Sequence, residues 1–220
     1  MRQNTPTPVA SGTQQGGPRP SKIEEIVRDL HDQIRHVVAL IQMHRVLAYS
    51  PDVTPLFNDT SEAWGYSVVQ QSVLVELVFA LCRLHDNSPD TNSLPTLFGK
   101  EAATSKSKRW LSTLPGPRRC AFAQANSLWS QLRGSHLLSR LTTLRNKFWG
   151  HSATQRTGLQ MPKYGYVDDL YGRTKKIVQL LAFAALDTDP NFEDAEQVWE
   201  QHANRFFRVL AAGQRGAARS

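Results

Sequence analysis

Apolar residues recur at intervals of three and four positions over most of the chain, and this spacing predicts helices. The first predicted helix starts after Ser21, which has the spacing of a capping box with Glu24, and runs to about Ala48. Its apolar positions are Ile23, Ile26, Val27, Leu30, Ile34, Val37, Val38 and Ile41. The pattern indicates a long amphipathic helix with one buried face.

The second predicted helix, from about Glu62 to Asp86, is apolar on nearly all sides in its second half. Glu76 and Arg83 are the only charges between Val73 and Leu84, and such a helix is expected at the centre of a bundle. An unpaired carboxylate there would be costly, so we expect Glu76 to be buried against Arg83 or against a polar group of a neighbouring helix. The alternative for Glu76 is a supporting role beneath a functional site.

Turn residues divide the rest of the chain into further helices. Ser93-Leu94-Pro95 opens a short helix, and the segments before and after Gly134 form one interrupted helix or two. Further helices are expected over about 166–186 and 190–212. The apolar positions of the last one are Phe192, Val198, Trp199, Phe206, Val209 and Leu210. We therefore predict an all-α, antiparallel helical bundle of about five helices.

Composition sets the domain boundaries. Residues 1–20 are rich in Pro, Gly, Thr and Gln with few large apolar side chains, which predicts a disordered N-terminal tail. Residues 21–212 form the helical domain, and residues 213–220 are expected to be a flexible C-terminal tail. A chain of 220 residues with 40% apolar residues is long enough for one sizeable core.

Positive charge is concentrated in one part of the sequence. The net charge is +7, and the segment from Lys100 to Lys147 holds ten Lys or Arg residues against one acid, Glu101, so it carries +9. This favours a polyanionic partner without distinguishing RNA from DNA or an anionic surface.

The cysteines and the hydropathy pattern predict the cellular compartment of the protein. Cys82 and Cys120 lie far apart without a C-x-x-C pair, so no zinc or redox site is expected and a reducing compartment fits best. We expect no apolar run to reach the roughly 18 residues of a membrane span, and the N-terminus lacks a signal-peptide core. We expect a soluble cytoplasmic protein without a membrane partner.

The segment from Leu144 to His151 holds the strongest candidate chemistry. Arg145 offers a planar fork for phosphate, His151 transfers a proton near neutral pH, and Asn146 orients either group. An ideal helix buries one apolar stripe here, made of Leu137, Leu141, Leu144 and Phe148. However, Arg145 and His151 flank that stripe at roughly 80° and −40°, and Asn146 falls near 180°. A compact site therefore needs a distorted helix end or groups from a second copy. We expect a symmetric homodimer that buries the neighbourhood of Phe148 and Trp149.

These residues resemble a known family. Residues 145–151, R-N-K-F-W-G-H, look like the signature of the HEPN superfamily, in which an Arg and a polar residue precede a His at the end of a bundle helix. The arrangement resembles the AbiU-like abortive-infection branch over about residues 22–187. The other supporting segments are Leu81 to Asp86, the Ser93-Leu94 helix start and the stretch from Tyr164 to Tyr171. Gly150 stands where the family usually has a small residue such as Ala.

The resemblance implies a function. Many HEPN proteins are metal-independent endoribonucleases that work as homodimers, so no cofactor and no metal are expected, and RNA is the expected partner. By this resemblance His151 is the general acid or base, Arg145 stabilises the phosphorane, and Asn146 orients the phosphate or His151, giving a 2′,3′-cyclic phosphate. Phage defence and an antitoxin protein as partner are implied in the same way. The residues expected to attract the RNA backbone are Lys147, Arg140, Lys108 and Arg109.

Simpler interpretations stand beside these. His151 after Gly150 is typical of a helix cap, and Arg145 could pair with a surface acid. The basic residues around Lys108 could lie in a solvated loop. The dipeptides His31-Asp32 and His85-Asp86 match part of a metal phosphohydrolase motif. The alternative from another class is a catalytically silent helical module that binds RNA, nucleotide or a protein partner.

Overall fold

The computed structural model describes residues 21–58, 63–146 and 165–217, and within these ranges every regular element is a helix. The all-α prediction is therefore confirmed. A π-helical segment, Thr96–Glu101, lies between α3 and α4. The eight α-helices are α1 (Lys22–Tyr49), α2 (Pro55–Asn58), α3 (Ala63–Leu84), α4 (Ser105–Thr113), α5 (Gly116–Arg133), α6 (His136–Leu144), α7 (Gly165–Leu186) and α8 (Phe192–Ala217).

The predicted number of about five helices was too low, because local signals divide the predicted segments. Gly134 and Ser135 separate α5 from α6, so this region forms two helices. The basic residues Lys108 and Arg109 lie in α4 and not in a loop, since the Thr104 hydroxyl accepts a hydrogen bond from the Ser107 amide (3.1 Å) and caps that helix.

The first helix of the domain begins where predicted, whereas the last helix extends further than predicted. At the start of α1 the capping box is confirmed: the Ser21 amide donates to Glu24 (2.8 Å), and the Glu24 amide donates to the Ser21 hydroxyl (3.2 Å). At the other end, α8 continues to Ala217 instead of ending near Ala212. The predicted N-terminal tail, residues 1–20, lies outside the described residues.

Helix α1 lies at the centre of the bundle, where it packs against α3, α7 and α8. Its side chains Ile26, Leu30 and Ile34 are completely buried in one continuous apolar core. The central position that the sequence predicted for the second helix therefore belongs to the first. The reason is that α1 buries more than one face, whereas the apolar surface of α3 exceeds the area that its neighbours cover.

Helix α3 is buried over its second half only. Leu77, Leu81 and Leu84 lie in the core, whereas Trp64 is 80% exposed and Val68 is also exposed. By length and composition α3 is long and apolar enough to cross a membrane, which the sequence pattern did not predict. It is the single such helix in the described part of the chain. The burial of its second half in the core accounts for much of that composition.

Glu76 lies on α3 in a different setting from the one predicted. Its carboxylate accepts a hydrogen bond from the Arg83 guanidinium at 2.6 Å, which confirms the predicted pairing, and His36 lies 3.6 Å away. The Glu76 side chain is 45% exposed, so the expectation that this pair is buried was wrong. An exposed pair of this kind contributes about 0–1 kcal/mol to stability.

Candidate active site

Arg145 and Asn146 lie at the end of α6. The helix is anchored by Leu137, Leu141 and Leu144, which are buried as the stripe predicted. After Leu144 the backbone adopts π-helical geometry at Arg145 and Asn146. Single π-helical turns of this kind are frequent at functional sites because they change where side chains are directed.

At this helix end the two polar side chains are in contact. The Nε atom of Arg145 donates a hydrogen bond to Oδ1 of Asn146 at 3.2 Å. Successive residues of an ideal α-helix are about 100° apart, and that spacing predicted that the two groups would diverge. The backbone departs from α-helical geometry at Arg145, before Gly150.

These two residues face the end of α3 across a cavity of about 370 Å³. The cavity wall combines charged, apolar and thiol side chains from helices that are far apart in sequence. Its lining residues are Phe79, Cys82, Arg83, Asp86, Arg145 and Asn146.

Among the described residues, the charges around this cavity leave one guanidinium without a carboxylate partner. Arg83 pairs with Glu76, and the Asp86 carboxylate accepts a hydrogen bond from the Ser88 amide (3.0 Å). Arg145 forms no salt bridge within the described ranges, so the simpler interpretation, pairing with a surface acid, is not observed there. A guanidinium that contacts a neutral amide and not a carboxylate in this part of the chain is suited to binding a phosphate.

The Cys82 thiol in the cavity wall is unsuited to nucleophilic chemistry. Burial raises the pKa of Cys82 to about 11, and Asp86 adds to this rise, although the positive charge of Arg145 opposes it. The thiol is therefore protonated at neutral pH, and the thiolate is the reactive form. The polar chemistry of the cavity rests on Arg145, Asn146 and Asp86.

The remaining residues of the predicted motif lie outside the described residues. They are Lys147, Phe148, Trp149, Gly150 and His151, all within 147–164. The role of His151 as acid or base therefore stays a prediction, as does the burial of Phe148 and Trp149 in a dimer.

A family model supplies the identification. The model of the AbiU2 family of HEPN proteins matches residues 21–206, which extend from the capping box at Ser21 into α8. The chain belongs to the AbiU2 family. The resemblance drawn from residues 145–151 is thereby confirmed, and the protein is a HEPN module of an abortive-infection family. No curated protein and no solved structure matches the chain.

The other predicted RNA-binding residues of this AbiU2 protein occupy separate places. The Arg140 guanidinium lies 4.2 Å above the Tyr166 ring, where it makes a cation–π contact. Arg109 of α4 lines a different cavity of about 510 Å³, together with Trp110. Lys108 lies on the same helix, so α4 and the end of α6 contribute to different cavities.

The metal-phosphohydrolase alternative is not supported. Nε2 of His85 lies 2.9 Å from the Thr174 hydroxyl, which itself donates to the Leu170 carbonyl, so His85 is assigned as the donor to Thr174. Burial lowers the pKa of His85 to about 3, and its ring stacks on Trp129. In the parts of the chain that the structure describes, no three His, Cys, Asp or Glu side chains are placed to hold a metal ion.

Sequence reasoning did not assign Arg83 and Asp86 to the site. They lie about 60 positions before Arg145, and only the packing of α3 beside α6 brings them to the same cavity. The available signal was a pair of charged residues at the end of an otherwise apolar helix, close to the turn that begins at Asn87.

Proposed function

We propose that this AbiU2-family protein is a metal-independent endoribonuclease that acts as a homodimeric effector of abortive infection. The observation that supports this most is the Arg145 guanidinium, which contacts the Asn146 amide at a π-helical helix end beside an open cavity. The +9 charge from Lys100 to Lys147 favours a polyanionic partner, and the family resemblance is what makes RNA the proposed one.

The proposed reaction is an internal transesterification. The ribose 2′-oxygen attacks the adjacent phosphorus while the bond to the 5′-oxygen of the next nucleotide breaks. One proton leaves the 2′-hydroxyl, one proton reaches the departing 5′-oxygen, and the product is a 2′,3′-cyclic phosphate. In this proposal His151 transfers a proton, Arg145 stabilises the charge on the phosphorane, and Asn146 orients the Arg145 guanidinium.

Replacement of His151 by alanine tests this function. We expect the rate of RNA cleavage to fall at least about 100-fold, because proton transfer by a positioned side chain contributes that much or more. The measurement compares purified wild-type and His151→Ala proteins on a mixed RNA pool with a chelator present. Circular dichroism of both proteins serves as the control for folding.

Equal and negligible cleavage by both proteins would contradict the proposal. If both proteins still bound RNA under those conditions, the catalytically silent module would replace the ribonuclease. Cleavage by the wild type that the chelator abolishes would also contradict a metal-independent reaction.

A further inference from the structure

A cavity of about 380 Å³ lies at the segment that follows α3. Asp86 lines the cavity beside Arg145, and the next residue, Asn87, lines this one, which we name the aromatic cavity. Consecutive Cα atoms are about 3.8 Å apart, so the two cavities are neighbours at this point of the chain. The polar and aromatic side chains of the aromatic cavity include Asn87, Phe98, Lys100, Asn126, Trp129 and Arg133.

Stacked rings give the aromatic cavity a fixed wall. The Trp129 ring is stacked with the Phe98 ring (6.3 Å between centroids, 16° between planes) and with the His85 ring (5.6 Å, 15°). Trp129 is only 5% exposed, yet its indole N–H donates to no described residue and is not fully enclosed. A buried indole N–H usually has an acceptor, so this one is available to a ligand.

The charged side chains of the aromatic cavity are both positive. Lys100 and Arg133 line it without any Asp or Glu among the described residues, and neither cation forms a salt bridge within the described ranges. The cavity beside Arg145, by contrast, contains Asp86. Two cations without a carboxylate partner attract a phosphate.

The amide groups of this cavity suit the edge of a nucleobase. The side chains of Asn87 and Asn126 are exposed, and each carries hydrogen-bond donors and an acceptor. Base edges also combine donors with acceptors, and aromatic side chains bind the faces of unpaired bases. Rings, amides and cations at one cavity therefore fit both the base and the phosphate of one nucleotide.

The π-helical segment Thr96–Glu101 forms one wall of the aromatic cavity. Phe98, Gly99 and Lys100 are successive residues of this segment, and all three line the cavity. Short π-helical stretches are frequent at functional sites. A Cβ atom added at Gly99 meets no atom within 4 Å, so a larger side chain there extends into open space at the cavity.

We infer that the aromatic cavity binds one unpaired nucleotide of the RNA substrate, close to the nucleotide that is cleaved. The base stacks on Phe98, and its edge bonds to the Asn126 amide and the Trp129 indole N–H. Lys100 contacts a phosphate, and Arg133 adds to the general attraction of the backbone. This inference rests on the proposed function, because it specifies the substrate of that site as single-stranded RNA. Its test measures binding of a strand that cannot be cleaved, so binding and cleavage can fail separately.

Other ligands fit the aromatic cavity less well. A divalent cation is repelled by its two positive side chains. The bases of double-stranded RNA are paired and stacked within the helix, so they do not enter a cavity. A free nucleotide has the chemistry of one unit of a strand, but the neighbouring Arg145 guanidinium offers a second phosphate site, which favours a strand.

Replacement of Gly99 by leucine tests the site by filling it. The probe is a fluorescein-labelled, mixed-sequence RNA strand of about 12 nucleotides in which 2′-O-methyl groups block the attacking oxygens. We expect Gly99→Leu to raise the dissociation constant of this strand at least about tenfold, because stacking of one base contributes a factor of that size. Fluorescence anisotropy measures the binding. For the same strand annealed to its complement, we expect equal dissociation constants for wild type and variant.

The matched control is Gly172→Leu on α7, where an added Cβ atom also meets no atom within 4 Å. Gly172 lies outside the aromatic cavity, so we expect this variant to bind the strand as tightly as wild type does. Circular dichroism reports the folding of both variants. A wild type that does not bind the strand, unchanged binding by Gly99→Leu, or an equal loss for Gly172→Leu or for the duplex would overturn the inference. RNA cleavage by the wild type alongside unchanged binding by Gly99→Leu would leave the proposed function standing without it.

A second variant changes the wall formed by α5 and leaves the π-helical segment intact. We expect Asn126→Leu to raise the dissociation constant of the strand about fivefold through the lost hydrogen bond to the base. The control is Gln124→Leu, an exposed position of the same helix outside the cavity. Equal effects of these two substitutions would overturn the inference. Displacement of the strand by adenosine 5′-monophosphate as effectively as by unlabelled strand would also overturn it, because the cavity would then serve a free nucleotide.

Discussion

Replacement of Arg145 by alanine lowers the rate of RNA cleavage by about 100- to 1,000-fold without unfolding the protein. The expected size is that of a lost donor to an oxyanion in a transition state. The fold is preserved because Arg145 follows the last α-helical residue of α6 and forms no salt bridge within the described ranges, so its removal strands no buried charge. The measurement is the single-turnover cleavage rate of wild-type and variant protein on one RNA, with chelator present.

A matched control separates catalysis from general attraction to RNA. Arg133→Ala removes one positive charge from the same basic segment but not from the cavity beside Arg145. We expect the cleavage rate of this variant to fall less than about threefold, mainly through weaker binding to the RNA backbone. Arg145→Lys keeps the charge and loses the planar fork, so we expect its cleavage rate to lie between those of Arg133→Ala and Arg145→Ala. Similar losses for Arg133→Ala and Arg145→Ala would reduce the role of Arg145 to electrostatic attraction.

Acidification from pH 7 to pH 5 lowers the free energy of unfolding by up to about 2 kcal/mol through His85. Burial holds the pKa of His85 at about 3 in the folded protein, whereas the unfolded chain binds a proton near pH 6.5. The unfolded state therefore takes up the proton first, and stability that is fully present above pH 6.5 is lost as the pH falls towards 3. Each pH unit in this window costs about 1.4 kcal/mol.

Urea unfolding at pH 7, 6 and 5 measures this dependence. His85→Phe retains a ring beside Trp129 and removes the titrating group, and the Thr174 hydroxyl keeps its bond to Leu170. We expect the stability of this variant to fall less steeply with acidification. Part of the pH dependence remains, because burial also lowers the pKa of His31 and His44. The control His136→Phe keeps His85 and the steep dependence. Identical slopes for wild type and His85→Phe would contradict the buried, neutral assignment.

Local signals predicted much of the fold. The capping box at Ser21 and the spacing of three and four residues located α1, because hydrogen bonds and apolar periodicity within one segment define such a helix. The packing order was not predictable in the same way. Periodicity identifies an apolar face but not what covers it. For this reason the sequence wrongly predicted α3 at the centre of the bundle, and it did not predict that Phe206 on α8 is exposed.

The candidate site was predicted in part. The types and order of Arg145 and Asn146 identified the motif, since they follow one another in the sequence. The contact between their side chains was not predicted, because an ideal α-helical spacing directs successive residues about 100° apart. Arg83 and Asp86 join the cavity through tertiary packing of α3, about 60 residues away, and no local pattern encodes that distance.

The chemistry of the RNA ends tests the central claim most directly. Purified protein is incubated with a defined RNA in excess chelator, and the new ends are identified by mass spectrometry. Attack by the ribose 2′-oxygen predicts fragments that end in a 2′,3′-cyclic phosphate, paired with fragments that begin with a 5′-hydroxyl, and their formation requires Arg145 and His151. Fragments with 3′-hydroxyl and 5′-phosphate ends, or cleavage that stops when the chelator is added, would contradict the account.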